Sequence, residues 1–222
     1  MYGDSGIALV NEVLQRGAGH VVLLMRHSAR EYAEGLHDAK NPLTEEGRLL
    51  SLRFGENLPQ NLSLRAYHSP VGRCKETAER ILNGYASKGG VTTRYRPVEG
   101  LGVFYVLDQM KMYRAMQADG GLLPFTQKWF AGGQAADVLM PPRAAALALL
   151  DVLREKLDSD PKNQKLDICV SHDLSLLTML DQLLDQPSSK FGNVEYLEAI
   201  AVYYLENQLV LHSRHGEVII DG

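Results

Sequence analysis

The sequence predicts an α/β fold, a three-layer sandwich in which helices cover both faces of a mostly parallel central sheet. Short apolar strands alternate with amphipathic helices along most of the 222 residues, which is typical of this class. The first strand, at residues 21–25, is apolar at every position, as strands in the centre of a parallel sheet are. We predict one domain spanning residues 1–222, with a lid-like insertion at about residues 100–140 where the alternation is lost.

The predicted elements follow in order. Apolar residues at helical spacing indicate a helix at residues 4–16, with Asp4 or Ser5 as N-cap and Gly17 as its end. Pro42 and Thr44 open a second helix. The remaining strands are expected at residues 64–69, 92–99 and 165–171, and the remaining helices at 69–84, 141–157 and 173–184.

Local signals define two further boundaries. In "SPVGRCKETAERILNGY", Ser69 fits an N-cap, Pro70 the first helical position and Gly84 the helix end. Near the C-terminus, two alternating runs separated by Glu206 and Asn207 predict a β-hairpin. The edge of that hairpin can pair with a second copy of the chain, so a homodimer is one expectation.

Composition limits the function. The net charge is −4 with both signs mixed along the chain, which argues against a nucleic-acid partner. The start has no signal-peptide pattern and no apolar run reaches membrane-spanning length, so we expect no membrane partner and a cytoplasmic location. Cys74 and Cys169 are interpreted as reduced packing residues. Metal-ligand spacing is not seen among the histidines, and no metal or other cofactor is expected.

Three predicted strands end in polar residues of one chemical type. Arg26, His27 and Arg30 follow the first strand, and His68, Ser69 and Arg73 follow the second; Ser171, His172 and Asp173 follow the fourth. Ligands of parallel sheets bind at the carboxyl ends of the strands. Three arginines and two histidines gathered there would repel one another without an anion, and a phosphate group suits arginine forks and helix N-termini.

This setting gives His27 a chemical role. Cationic neighbours disfavour its protonated form, so its imidazole stays neutral and nucleophilic near neutral pH. Attack on phosphorus would form a phosphohistidine, while the arginines and His172 stabilise the charge on the phosphoryl oxygens. Asp173 is the adjacent carboxyl group that can protonate the leaving oxygen.

"RHSAR", "SPVGRCKETAE" and "VSHD" resemble the histidine phosphatase superfamily, which includes phosphoglycerate mutases, acid phosphatases and phytases. Its Arg-His-Gly motif is matched with serine in place of glycine at Ser28, and its other segments are matched by Leu43, Thr44 and Gly47, by Ser69, Pro70, Arg73, Thr77 and Ala78, and by His172. The resemblance, from about residue 20 to the end, implies that His27 is the nucleophile. It also implies that Arg26, Arg30, Arg73 and His172 form the phosphate pocket.

The resemblance leaves the proton donor open. A His-Asp pair, as in the acid phosphatase branch, favours Asp173. The mutase-like branch uses a carboxylate after the third strand, where Glu99 and Asp108 are available.

The sequence therefore predicts a metal-independent phosphomonoester hydrolase that acts on a small phosphorylated substrate. A phosphomutase of the same fold and a catalytically silent phosphoester-binding protein are the alternatives. The second Arg-His pair, Arg214 and His215, follows a hairpin strand and precedes no helix, so we expect no role for it in phosphate binding.

Overall fold

The computed structural model describes residues 1–33, 38–93, 95–158 and 161–220. Within these residues, eight strands form one sheet in the order β3-β2-β5-β1-β6-β7-β8, and β4 also pairs with β2. The strands are β1 His20–Arg26, β2 Ser63–His68, β3 Val91–Thr92, β4 Arg96–Pro97, β5 Lys165–Ser171, β6 Ala199–Leu205, β7 Gln208–Ser213 and β8 Gly216–Ile220.

Helices cover both faces of this sheet, which confirms the predicted fold class. They are α1 Asp4–Gln15, α2 Glu45–Glu56, α3 Gly72–Ser87, α4 Gln109–Ala118, α5 Leu122–Phe130, α6 Pro142–Arg154, α7 Asp173–Leu184 and α8 Ser188–Phe191, with short 3-10 turns at Asp38–Lys40 and Glu99–Leu101. Apolar side chains of α1, α2 and α3 pack on one face, and those of α5, α6 and α7 pack on the other.

The central strands β2, β5 and β1 are parallel, and their register brings their carboxyl ends to one edge. Arg26 at the end of β1 lies opposite Ser171 at the end of β5, and His68 at the end of β2 lies opposite Val170. Every residue of β1 is buried, because this strand has neighbours on both sides and helices on both faces. The polar residues that follow these strands are therefore neighbours in space.

The sheet differs from the prediction at both ends. The third predicted strand, at residues 92–99, is reduced to β3 and β4, each two residues long; residue 94 between them is outside the described part. On the other side, β6 pairs with β1 in antiparallel orientation, and the predicted hairpin β6–β7 is extended by β8. The edge strand there is β8 rather than β7, and pairing with a second copy stays a prediction.

Three helix boundaries were wrongly predicted. The N-cap of α3 is Val71 instead of Ser69, and the first helical residue is Gly72 instead of Pro70; the hydroxyl of Ser69 accepts the N–H of Val71 over 3.4 Å and lies 2.9 Å from Nε2 of His172. Gly84 does not end α3, which continues to Ser87. A Cβ atom at Gly84 would lie 2.0 Å from the carbonyl oxygen of Leu52, so this glycine allows α2 and α3 to touch backbone to backbone. The cap of α1 is Gly3, with φ 89° and no side-chain cap, instead of Asp4 or Ser5.

Residues 100–140 contain α4 and α5 and contribute to the core. Tyr105, Phe125 and Trp129 are almost fully buried in the apolar cluster shared with α6 and α7, and the indole of Trp129 donates to the carbonyl of Met140 over 2.9 Å. These aromatic residues therefore pack as core. A lid function for the segment stays a prediction. In the described part of the chain, no helix is long and apolar enough to cross a membrane.

Candidate active site

The side chains at the carboxyl ends of β1, β2 and β5 form one buried cluster. His27, Arg73 and His172 are each at most 6% exposed, and the rings of His27 and His172 lie 5.7 Å apart between centroids. Helices α3 and α7 both begin here, directly after β2 and β5. Their N-termini therefore add a favourable dipole for a bound anion.

His27 presents one ring nitrogen to the cluster. Its Nδ1 donates to the carbonyl oxygen of Ser28 over 2.8 Å, which leaves Nε2 unprotonated in the neutral ring. Nε2 accepts a hydrogen bond from Nε of Arg73 over 2.9 Å. Burial, together with the charges of Arg73 and His172, holds the pKa of His27 well below its ordinary value. The imidazole is thus neutral and nucleophilic at neutral pH.

The loop after His27 is held by two helices. Ser28 donates through Oγ to the carbonyl of Gly47 over 2.8 Å, and its backbone N–H donates to Oγ1 of Thr77 over 3.2 Å. Thr44 caps α2 by accepting from the N–H of Gly47 and donates its own N–H to the carbonyl of Ala29. A Cβ at Gly47 would lie 2.1 Å from that carbonyl oxygen. The serine that replaces the motif's glycine is thus an anchor for the loop.

Arg73 and Arg30 share one carboxylate. Arg73 donates from Nη2 to Oδ2 of Asp38 over 2.9 Å and from Nη1 to its backbone carbonyl over 2.7 Å. Arg30 lies 2.6 Å from the other carboxylate oxygen. Two guanidinium groups aimed at one small anion make the kind of arrangement that binds a phosphate group. Asp38 takes that anionic position in the structure.

Arg26 is fixed from three directions. Its Nη1 donates to the carbonyl of Val194 over 2.6 Å, its Nη2 lies 3.0 Å from Oδ2 of Asp173, and its guanidinium carbon lies 4.2 Å above the ring of Tyr196. Within the described residues, the buried Nε atoms of Arg26 and Arg30 have no hydrogen-bond partner. Unsatisfied buried donors are rare in proteins, and two of them on arginines of this cluster suit an oxyanion.

The ring of His172 makes an edge contact with that of His27. Its Nε2 lies 2.9 Å from Oγ of Ser69 and 3.8 Å from the thiol of Cys74. Burial and the charge of Arg73 lower the pKa of His172 to about 4, so this ring is also neutral at neutral pH. Burial raises the pKa of the Cys74 thiol to about 12, and both cysteines are free and buried.

The three candidate proton donors lie in different surroundings. Asp173 is closest to the histidines in the chain and pairs with Arg26, and its Oδ1 accepts the N–H of Leu174 over 2.9 Å. Glu99 is exposed in the short turn after β4. Asp108 caps α4 by accepting from the N–H of Lys111 over 2.9 Å. The structure thus brings Asp173 into the cluster and gives Asp108 a structural contact elsewhere.

Sequence reasoning missed two members of the cluster, Asp38 and Tyr196. Asp38 belongs to a polar loop without periodicity, and only the fold brings it to Arg30 and Arg73. Tyr196 does not come after a predicted strand, yet its ring contacts the guanidinium of Arg26, and its ring centroid lies 6.0 Å from that of His27.

The second Arg-His pair lies outside this cluster. Arg214 and His215 form the turn between β7 and β8 and contact Glu195 and Glu198; that the pair does not bind phosphate stays a prediction. Among the residues that the structure describes, no group of three or more His, Cys, Asp or Glu side chains is arranged to hold a metal ion.

The carboxyl ends of the parallel strands gather two neutral histidines and three arginines, and this arrangement resembles that expected of a histidine-phosphatase-like α/β protein. Residues 22–98 match the family model of the histidine phosphatase superfamily, branch 1, which confirms the resemblance seen in the sequence. The matched range contains Arg26, His27, Arg30 and Arg73; His172 lies beyond it. A comparison with curated protein sequences gave no match.

Solved structures with the same fold cover most of the chain. Bacillus stearothermophilus YhfR has a TM-score of 0.59 at 17% identity, over 88% of this chain and 96% of its own. Phosphoglycerate mutase from Bacillus anthracis str. Sterne has a TM-score of 0.54 at 17% identity, over 94% of this chain and 95% of its own. A phosphoserine phosphatase mutant from Entamoeba histolytica, bound to phosphoserine, has a TM-score of 0.51 at 19% identity, over 91% of this chain and 95% of its own. At these identities the comparisons show the fold.

Proposed function

We propose that this protein hydrolyses a small phosphomonoester through a phosphohistidine on His27, without a metal ion. The observation that carries the proposal is the contact between Nε2 of His27 and Arg73, beside a second guanidinium and a second neutral histidine. That arrangement places a nucleophile next to the donors that a phosphoryl group requires.

The reaction has two steps. Nε2 of His27 attacks phosphorus, the bond from phosphorus to the ester oxygen breaks, and a carboxylic acid supplies a proton to the leaving oxygen. Water then attacks the phosphohistidine, and the same carboxylate accepts a proton from that water, so inorganic phosphate leaves and His27 is restored. Arg26, Arg30, Arg73 and His172 stabilise the charge on the phosphoryl oxygens in both steps.

We assign the proton transfer to Asp173, because the contacts that the structure describes pair this candidate carboxyl group with Arg26, a member of the cluster. In its ion pair with Arg26 the carboxylate of Asp173 carries no proton, so Asp173 must leave this pair and take up a proton before it can act as the acid; the bound phosphate then takes its place as the anion beside Arg26. Comparison of Asp173→Asn, Glu99→Gln and Asp108→Asn on esters with poor and good leaving groups tests the assignment. The true donor matters most for the poor leaving group, and equal losses for both esters would contradict it.

The nucleophile is tested with His27→Ala on an aryl phosphate. We expect turnover to be abolished, the fold to be retained by circular dichroism, and a chelator to leave the wild-type rate unchanged. In wild type, rapid quenching should trap an acid-labile phosphoryl group on the protein, and His27→Ala should trap none. His212→Ala is the matched control, because His212 is also buried but pairs with Glu12 and Glu217 far from the cluster.

The same measurements separate the two alternative functions. A phosphomutase forms the phosphohistidine but returns the phosphoryl group to a second hydroxyl of its substrate, which ³¹P NMR detects as an isomer instead of inorganic phosphate. A silent binding protein retains oxyanion binding and shows neither turnover nor trapped phosphohistidine. Unimpaired hydrolysis by His27→Ala would remove the proposed mechanism.

A further inference from the structure

We infer that Arg214 and His215, the second Arg-His pair, position Arg26 of the candidate phosphate site through a buried carboxylate, Glu198. The inference rests on the proposed function, since it assigns to this pair an indirect role in binding the phosphoryl group. The four residues Glu195, Glu198, Arg214 and His215 are called the Glu198 clamp below.

Glu198 is the centre of the clamp. Its side chain is only 2% exposed, and its two oxygens are shared among three donors. Oε2 lies 3.0 Å from Nη2 of Arg214 and accepts the N–H of Glu195 over 2.6 Å, while Oε1 lies 2.9 Å from Nε2 of His215. Arg214 also reaches the carboxylate of Glu195 over 2.7 Å. A buried carboxylate is tolerated only with such partners, so the turn between β7 and β8 and the loop before β6 are held together.

The loop that the clamp holds, residues 194–197, makes the contacts that fix Arg26. The carbonyl of Val194 accepts from Nη1 of Arg26 over 2.6 Å, and the ring of Tyr196 stacks on the guanidinium. The backbone of Arg26 is held as well, because its N–H donates to the carbonyl of Glu198 and its carbonyl accepts from the N–H of Leu197. Both ends of Arg26 thus depend on the segment that carries Glu198.

The backbone of this loop is strained. Leu197 has φ 59°, in the left-handed region that non-glycine residues rarely adopt. Such a conformation persists only where the surrounding contacts hold it. The side-chain bonds of Glu198 lie directly after Leu197, and they supply contacts of this kind.

Packing connects the clamp to the rest of the fold. The ring of His215 stacks on Phe191 of α8 at 4.1 Å, and β8 pairs with β7 on the far side of the turn. These contacts hold the turn in place, and the ion pairs of Arg214 and His215 hold the loop against the turn. This accounts for a motif that the phosphate site itself does not use.

The clamp is tested by measuring tungstate affinity, together with KM and kcat for an aryl phosphate. We expect Arg214→Ala to weaken tungstate binding and to raise KM by about tenfold, because the guanidinium of Arg26 is no longer held in one place. Arg214→Lys keeps the charge and should restore part of the affinity. Arg53→Ala is the matched control, because Arg53 is a similarly exposed arginine paired with Asp4 on α1, and its tungstate affinity should equal that of wild type.

A double-mutant cycle shows whether the effect acts through Arg26. In an Arg26→Lys background, Arg214→Ala should cause little further loss, whereas independent effects would add. Glu198→Gln should behave like Arg214→Ala in the same cycle. Wild-type tungstate affinity in Arg214→Ala and Glu198→Gln, or additive losses with Arg26→Lys, would overturn the inference even if both variants lose stability. Tungstate binding without turnover in the wild type would contradict the proposed function and leave the clamp testable.

Discussion

Arg73 donates a hydrogen bond from Nε to Nε2 of His27 over 2.9 Å. A guanidinium N–H donates and cannot accept a hydrogen bond, so this contact is compatible only with an unprotonated Nε2. Together with burial, it is a reason why the pKa of His27 is held well below its ordinary value. The same residue thus keeps the nucleophile neutral and lies where the charge of the phosphoryl group develops.

Replacing Arg73 should therefore affect both binding and nucleophile. We expect Arg73→Ala to lower kcat/KM by a factor of about 10²–10³. The acidic limb of its pH–rate profile should move to higher pH, because one cause of the lowered pKa of His27 is removed. Arg73→Lys retains a charge without the fork and should give an intermediate rate. A pH–rate profile of Arg73→Ala whose acidic limb stays at the wild-type position would contradict this role.

Asp38 occupies the space between Arg30 and Arg73 that we assign to phosphoryl oxygens. Substrate phosphate must therefore displace a carboxylate, and Asp38→Asn should bind tungstate severalfold more tightly because the competing charge is gone. Asp137→Asn is the control, since Asp137 is similarly exposed and pairs only with Lys111 in the described contacts. Titration calorimetry measures both, and weaker binding by Asp38→Asn would mean that Asp38 assists the anion.

The buried neutral histidines should also destabilise the protein in acid. The pKa of His172 is lowered to about 4 in the folded chain, whereas an unfolded histidine titrates near its ordinary value of about 6.5. Between these two pH values the unfolded state binds more protons, so the free energy of unfolding falls as pH decreases from about 6.5 to about 4.

Without His172, the unfolded state binds one proton fewer in this pH range. We expect His172→Gln to reduce the slope of unfolding free energy against pH in this window by up to about 1.4 kcal/mol per pH unit. Urea denaturation at several pH values measures the slope. His215→Gln provides the comparison, because its ring is partly exposed beside Glu198. An unchanged slope in His172→Gln would show that His172 does not titrate as the structure indicates.

Sequence patterns predicted the parts of the fold that depend on local chemistry. The apolar run before Arg26 and the strand ending at Ser171 gave β1 and β5 with errors of one residue or less, and parallel pairing then placed His27, Arg73 and His172 at one edge. These three residues follow strong elements, so their meeting could be inferred from topology alone.

Features that depend on tertiary contacts could not be predicted in this way. Asp38 and Tyr196 reach the cluster from loops whose paths no periodicity specifies. The short β8 carries a weak alternating pattern and is defined by pairing with β7. Gly84 was misread because a glycine that ends a helix and one that permits close helix packing have the same sequence signature.

The position of Gly84 leads to a stability prediction. Any Cβ there would lie 2.0 Å from the carbonyl oxygen of Leu52, a contact with backbone that no rotamer change can relieve. Gly84→Ala should therefore force α2 and α3 apart and destabilise the protein by about 1–3 kcal/mol or more, although alanine is intrinsically the better helix former.

Gly72→Ala in the same helix is the control. A Cβ at Gly72 meets no atom within 4 Å, so this variant should keep or slightly raise the free energy of unfolding. Urea denaturation of the two variants compares the same chemical change in two environments. Because α2 and α3 also carry Gly47, Arg73 and Thr77, which hold the loop of His27, Gly84→Ala should lower turnover as well. A Gly84→Ala protein as stable as Gly72→Ala would show that the two helices do not pack as closely as the structure indicates.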